Sequence, residues 1–413
     1  MTETIRVHGT RVQPRDAVSY AALVFTVIWC IMLPLTSVQV PIIGNLGAMV
    51  FVAALWLTDA SRTRPGPRVV LALIVALMLL AIGALAGSSM TPRSPESLSN
   101  FVVLVVSFLC VGVISYGLAS RPGQIVVALR SLVLGAAILA ASVWMVPNSV
   151  NGRFFGLGNH PVEVGGILGT AIAIAVFVPF GFRNIWIVRI VLIGLLSSGV
   201  LRAGALTGLV AAAVGVLFAL VLARSVRRLI LVIVAVFLGG CLIYLTPEGA
   251  VLFDRFWVSL SAGVPGDLRA VGYNDSNTLA SRFATMQLGI ERAWGAPLTG
   301  IGYTGEGTYV LGNLQPHNVL IYAWLIGGVA MVAVYLLVLY AGTARFASWL
   351  HRRYRRAVPP SVLAVGAGAG AAWASGLSGP QLHQPWWLLA ILLPVALVLT
   401  RRTASLTTDS EEI

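Results

Sequence analysis

The sequence predicts an all-α protein, a polytopic integral membrane bundle of about twelve transmembrane helices. Of its 413 residues, 58% are hydrophobic and only 10% are charged, whereas soluble proteins carry about 25% charged residues. The mean hydropathy is +0.91. The apolar residues also form uninterrupted runs of about twenty, which is the length of a helix that spans a bilayer.

The apolar runs divide the chain into twelve predicted helices. They lie near residues 17–35, 38–57, 69–87, 100–119, 126–146, 162–180, 184–201, 204–223, 228–246, 317–342, 361–377 and 384–400. Residues 1–246 therefore hold helices 1–9, residues 317–400 hold helices 10–12, and 401–413 form a tail. Between helices 9 and 10, residues 247–316 form one long loop. An even number of helices places both termini on the same side of the membrane.

The distribution of arginine predicts which side that is. All 27 basic residues are arginine, and they lie in short segments between the apolar runs, so the net charge of +13 does not indicate nucleic-acid binding. If the N-terminus is inside, only seven arginines lie outside: Arg93, Arg153, Arg202, Arg255, Arg269, Arg282 and Arg292. This bias predicts cytoplasmic termini in a cytoplasmic membrane, with the long loop external.

The long external loop contains a predicted amphipathic helix. In "TLASRFATMQLGIERAWGA", the apolar residues recur at spacings of four and three and form one helical face. They are Leu279, Phe283, Met286, Ile290 and Trp294, whereas Arg282, Thr285 and Arg292 lie away from that face. Ser276 or Asn277 is a candidate cap. We expect this helix to lie on the outer membrane surface or to fold over a cavity.

Two external arginines stand next to helix ends. Arg202, in "SSGVLRAGAL", lies at the membrane edge, where an ionisable side chain is costly and marks a candidate functional site. The alternative is an arginine that reaches the lipid headgroups. Arg153 precedes His160 and Glu163 in "NGRFFGLGNHPVEVGG". The helix start after them favours an anion, or Glu163 alone complements the helix dipole.

A histidine and an asparagine open the tenth predicted helix. His317 and Asn318 follow the glycine-rich "GIGYTGEGTYVLGNLQP" on the external side. His317 is either a boundary residue or a catalytic one, and the same alternatives hold with less support for His383. Cys30, Cys110 and Cys241 lie in three separate apolar runs, which indicates neither a disulfide framework nor a metal cluster.

Taken together, these elements resemble the O-antigen ligase/polymerase family of membrane glycosyltransferases. Three stretches within residues 150–340 carry the resemblance: "RFFGLGNHPVEVGG", "SSGVLRAGALTGLV", and "SRFATMQLGIERAWGAPLTGIGY" followed by "HNVLIYAWLIGG". Many relatives have an asparagine after the proline of the first stretch. This chain has Val162 and then Glu163 there, which leaves the role of that loop open.

The resemblance implies an enzyme that transfers a glycan from a polyprenyl diphosphate carrier to an acceptor hydroxyl on the outer face. It implies that Arg202 and Arg282 bind the diphosphate and that His317 acts on the acceptor. Arginine suits phosphate because it is planar, bidentate and permanently charged, and histidine suits general-base catalysis near neutral pH. Arg153 is a further candidate diphosphate ligand, and Arg292 remains an alternative to Arg282.

Several expectations complete this prediction. Asn318, His160 and Glu163 are candidate supporting residues. The external acids form no Asp-x-Asp pair, so we expect no metal and no cofactor, with direct attack by the hydroxyl and inversion at the anomeric carbon. The expected partners are the lipid-linked donor, membrane lipids, and an acceptor that is a lipid, a glycan or a protein. Whether the enzyme is a ligase or a polymerase stays open.

The alternative function is a transporter or flippase of the same lipid-linked glycan. Transporters often contain internal repeats and charged residues near the bilayer midplane, and the sequence shows neither. Its polar groups gather at one face of the membrane instead, which favours chemistry over transport.

Overall fold

The apolar runs form helices in the computed structural model. The structure describes residues 14–35, 42–60, 95–150, 152–158, 160–180, 185–224, 230, 244–247, 250–251, 254, 257, 278–302, 310, 315–354, 357–379, 382 and 384–400. The α-helices are α1 (Pro14–Met32), α2 (Ile42–Ala60), α3 (Pro95–Ala119), α4 (Pro122–Met145), α5 (Pro161–Phe177), α6 (Ile185–Arg202), α7 (Leu206–Ala223), α8 (Thr278–Trp294), α9 (Val319–Tyr340), α10 (Phe346–Arg353), α11 (Pro360–Gly376) and α12 (Pro385–Leu399). A π-helical turn (Ala341–Arg345) joins α9 to α10, and β1 (Ser149–Val150) pairs with β2 (Arg153–Phe154).

The predicted segments agree with these helices wherever the structure describes them. Ten of the twelve coincide with a helix, with ends that differ by a few residues. Segment 69–87 and nearly all of segment 228–246 lie outside the described residues, as do Ser276, Asn277 and His383. The all-helical class is thus confirmed, and the count of twelve spans stays a prediction.

Among the described residues, three helical stretches are long and apolar enough to cross a membrane: Val102–Ala119, Gly123–Met145 and Val319–Arg353. Five shorter apolar helices, parts of α1, α2, α5, α7 and α12, accompany them in the described part of the chain. Helices of this composition fit a helical membrane protein.

Small residues bring three helices into close contact beside the site. A side chain on Gly208 of α7 would strike the Gly165 carbonyl of α5, and a side chain on Gly169 of α5 would strike the Gly208 carbonyl. Gly370 of α11 lies against Phe218 of α7. Close backbone approach at small residues is the usual packing of transmembrane helices, and here it fixes the starts of α5 and α7 next to each other.

Helix α9 is broken in its middle, although the sequence predicts one continuous helix. Gly328 has φ +63°, a left-handed conformation that favours glycine. The loop after α8 enters the break, where Val329 N–H donates to the Pro297 carbonyl (3.1 Å) and Ile301 N–H donates to the Leu325 carbonyl (2.7 Å). These bonds pair backbone groups that the break would leave unsatisfied within a membrane helix.

Candidate functional site

A short hairpin between α4 and α5 forms one wall of the site. It turns at Gly152, whose φ is +71°, and it is tied to α4, because the Leu157 N–H donates to the Ser142 hydroxyl (3.0 Å). Arg153 projects from the hairpin and donates from Nη2 to the Gly204 carbonyl (2.7 Å). The hairpin thereby holds the turn between α6 and α7.

Arg202 packs between two aromatic rings at the end of α6. Its guanidinium carbon lies 3.8 Å from the ring centre of Phe154 and 5.1 Å from that of Trp144. Its Nε is buried and has no hydrogen-bond partner among the described residues. Trp144 donates to the Ser198 hydroxyl (3.3 Å), so the ring is held in place from the same helix that carries Arg202.

His160 is the N-cap of helix α5. The His160 Nδ1 accepts a hydrogen bond from the Val162 N–H (3.3 Å). Glu163 follows in the first turn of α5. Its Oε1 is buried and makes no hydrogen bond within the described part of the chain. A capping carboxylate would accept from free backbone N–H groups, and Glu163 does not.

Helix α8 presents a face of small residues and Thr285 to the protein, and its large apolar residues lie outward. Thr285 is fully buried, and Arg282 is partly buried beside it. Phe283 and Trp294 are 45% and 65% exposed. Arg292 is exposed, so the two arginines of this helix have different surroundings, and Arg282 is the one that points to the site.

The start of α9 is fixed against α8 by packing and capping. The Asn318 side-chain oxygen accepts from the N–H groups of Leu320 (2.9 Å) and Ile321 (3.2 Å), so Asn318 is the N-cap of α9. On the α8 side, Gly289 lies against Pro316 and Ile321. His317 therefore precedes the helix by two residues, in a segment held from both sides.

Four side chains from three separate parts of the chain interact electrostatically: Arg153, His160, Arg282 and His317. Burial, and then the positive charge of Arg153, lowers the pKa of Arg282 to about 10, so Arg282 stays charged at neutral pH. Burial lowers the pKa of His160 as well, with smaller contributions from Arg153 and Arg282.

His317 is the second histidine of the cluster, and its pKa is strongly lowered. Its pKa is lowered to about 4, first by burial and then by Arg282 and His160, while a hydrogen bond to the backbone of Ser378 opposes them. Its Nδ1 is buried and has no hydrogen-bond partner among the described residues. With its pKa this low, the imidazole is neutral near pH 7, and a neutral imidazole has one ring nitrogen that accepts a proton.

The two arginines give the cluster positive charge. Among the described residues no acid contributes to the electrostatics of Arg282, His160 or His317, and no group of three His, Cys, Asp or Glu could hold a metal ion. Like charges that are partly buried repel each other. A bound anion of high charge, such as a diphosphate, would offset that cost.

The structure therefore gathers most of the predicted site residues at one end of the bundle. Arg153, His160, Arg282 and His317 form the cluster, and Arg202 lies next to it across Phe154. Sequence reasoning did not identify three residues that contact the candidate site residues: Trp144 and Phe154 beside Arg202, and Ser378 beside His317. Phe154 had a visible signal, since it directly follows Arg153 in "RFF". No family model matches the chain, and no curated protein matches it.

Proposed function

We propose that this protein is a membrane glycosyltransferase of the O-antigen ligase/polymerase type. It transfers a glycan from a polyprenyl diphosphate carrier to an acceptor hydroxyl. The observation that carries the proposal is the convergence of two arginines and two histidines from three separate parts of the chain. Such a cluster suits a polyanionic leaving group next to a group that accepts a proton.

The arginines would bind the diphosphate. Arg282 remains charged at neutral pH despite its burial, and Arg153 lies close enough to lower its pKa. Together they supply planar donors for the phosphate oxygens. Negative charge develops on the diphosphate as the glycosidic bond breaks, and preorganised cations stabilise this charge most strongly. The exposure of Arg292 supports Arg282 over Arg292 as the ligand.

His317 would act as the general base. Its neutral imidazole accepts the proton of the acceptor hydroxyl, and the hydroxyl oxygen attacks the anomeric carbon. The bond between that carbon and the diphosphate oxygen breaks, and the diphosphate leaves with the electron pair. Direct displacement inverts the anomeric configuration. No metal enters this scheme.

The outward face of α8 supports a lipid-linked donor. Phe283, Ile290 and Trp294 lie exposed on the helix that also carries Arg282. An apolar face beside a phosphate ligand allows the polyprenyl chain to stay in the bilayer while its diphosphate reaches the cluster. In the orientation that the arginine distribution predicts, this reaction takes place on the external face of the cytoplasmic membrane, with both termini inside.

The test uses the purified full-length protein, a polyprenyl-diphosphate-linked oligosaccharide and a crude membrane fraction as acceptor. Release of polyprenyl diphosphate is measured for the wild type, His317→Ala, Arg282→Gln and the matched control Arg292→Gln. Loss of the base should lower turnover about 10²–10⁴-fold, and loss of Arg282 about 10²–10³-fold. Arg292→Gln should match the wild type, because Arg292 is exposed and does not contribute to the electrostatics of Arg282, His160 or His317.

Two results would contradict the proposal. Normal turnover in His317→Ala, with an unchanged melting temperature, would show that His317 is not the general base. Failure of the wild type to consume the donor, combined with movement of the donor across vesicle membranes that contain the protein, supports the flippase alternative. If the enzyme is active, product size separates a ligase, which attaches one finished glycan, from a polymerase, which makes a ladder.

A further inference from the structure

A cavity lies at the end of α7 opposite to the site. It has a volume of about 380 Å³, and it lies between the end of α7 and the helix α10. Apolar side chains, among them Leu222 and Leu350, form part of its wall. Arg224, His351 and Tyr354 supply polar groups to the lining. The cavity thus combines an apolar wall with a basic one.

The position of the cavity places it on the other side of the membrane from the cluster. Helix α7 begins beside Gly204, which contacts Arg153, and it ends at Ala223 in the cavity wall. Its 18 residues span about 27 Å at 1.5 Å per residue, close to the thickness of the hydrocarbon core. Trp349 and Tyr354 pack edge to face at 5.9 Å, and such aromatic residues are typical of the headgroup level.

The chain segments that contribute the lining of the cavity are strongly basic in sequence. Residues 217–229 and 345–361, which contain the lining residues of both sides, include no aspartate or glutamate. Their arginines are Arg224, Arg227, Arg228, Arg345, Arg352, Arg353, Arg355 and Arg356. Basic pockets between transmembrane helices on one membrane face recognise anionic headgroups. The backbone of Arg224 is held at φ +53° at the end of α7, which fixes where its side chain starts.

We propose that this cavity binds the headgroup of an anionic phospholipid, with the phosphate at Arg224 and His351 and the glycerol and upper acyl chain against Leu222 and Leu350. The recognised group is a phosphate ester, and the apolar wall makes a lipid its source instead of a free phosphate. This inference is independent of the proposed reaction, because no residue of the cluster lines the cavity.

The test titrates the purified full-length protein in neutral detergent and follows its melting temperature, which rises when a ligand binds only the folded state. Three probes are compared: phosphatidylglycerol, phosphatidylcholine and inorganic phosphate. We expect a saturable rise with phosphatidylglycerol alone. An equal rise with phosphatidylcholine would overturn the role of charge, and saturation by inorganic phosphate alone would overturn the lipid assignment.

Substitutions in the cavity lining test whether the lipid that raises the melting temperature binds there. Arg224→Asn removes the charge but tolerates the left-handed backbone, and it should weaken the apparent affinity for phosphatidylglycerol about fivefold. Ala357→Trp fills the cavity from an exposed lining position and should abolish the rise without removing any charge. Arg345→Gln is the matched control, because Arg345 is exposed and does not line the cavity. An unchanged affinity in both test variants would place the lipid elsewhere and refute the proposal.

Discussion

Replacing Arg202 by lysine separates two roles that its position allows. Its guanidinium stacks on Phe154 at 3.8 Å and faces Trp144 at 5.1 Å, which holds the hairpin against the end of α6. Under the proposed function the same guanidinium also binds the diphosphate. Lysine keeps the positive charge, but it loses both the planar stacking and the bidentate geometry.

The two roles predict losses of different size. The stacking of a partly exposed cation on an aromatic ring contributes about 1 kcal/mol, so stacking alone lowers the stability by that amount and leaves the transfer rate within about fivefold of the wild type. Loss of one preorganised donor to the leaving group costs about 3 kcal/mol in the transition state, or about 10²-fold in turnover. The second effect is much the larger.

The assay measures the melting temperature and the rate of polyprenyl diphosphate release for Arg202→Lys and for Arg292→Lys, a conservative change at an exposed arginine. We expect Arg202→Lys to lose about 10²-fold in rate with a small decrease in melting temperature, and Arg292→Lys to behave as the wild type. A normal rate in Arg202→Lys would refute the diphosphate role and leave Arg202 as a residue that only stabilises the hairpin.

Three further predictions use other parts of the site. Because burial lowers the pKa of His317 to about 4 and the base must be neutral, kcat/KM should fall only as pH drops through about 4; an acid limb near pH 6.5 would contradict this. Gly328→Ala should destabilise the protein by about 2 kcal/mol or more by thermal melting, because of its positive φ and the adjacent Leu298 carbonyl, whereas Gly194→Ala, with open space around it, should not. Transfer should survive chelation by EDTA, and loss of activity that added Mg²⁺ restores would reveal a metal.

The sequence predicted the helices because run length and hydropathy report directly on burial in a membrane. It did not predict the break in α9. The run from Val319 to Tyr340 is apolar throughout, so hydropathy does not distinguish one helix from two halves. The break depends on hydrogen bonds from Ile301 and to Pro297, which are distant in sequence. The pair Gly327–Gly328 was the local signal.

The sequence indicated which residues belong to the candidate site, but it indicated only in part how they are arranged. Charged and titratable residues at external helix ends are costly unless they have a use, and this argument selected Arg202 and His317. Which of them would meet depended on tertiary packing. The amphipathic pattern of α8 defined its apolar face. Only the structure shows that the face with Thr285 is buried and that the apolar face with Phe283 is exposed.

Under the proposed function, donor binding and activation of the base are one electrostatic event. In the free protein, burial and the nearby positive charge of Arg282 hold the pKa of His317 near 4, which keeps the imidazole neutral but makes it a weak base. A diphosphate bound at Arg282 would cancel that charge and add its own, and a nearby negative charge raises the pKa of a histidine. His317 would then accept a proton more readily when the donor is in place. The acid limb of kcat should therefore lie at higher pH than that of kcat/KM, and coincident limbs would show that the anion does not bind beside His317.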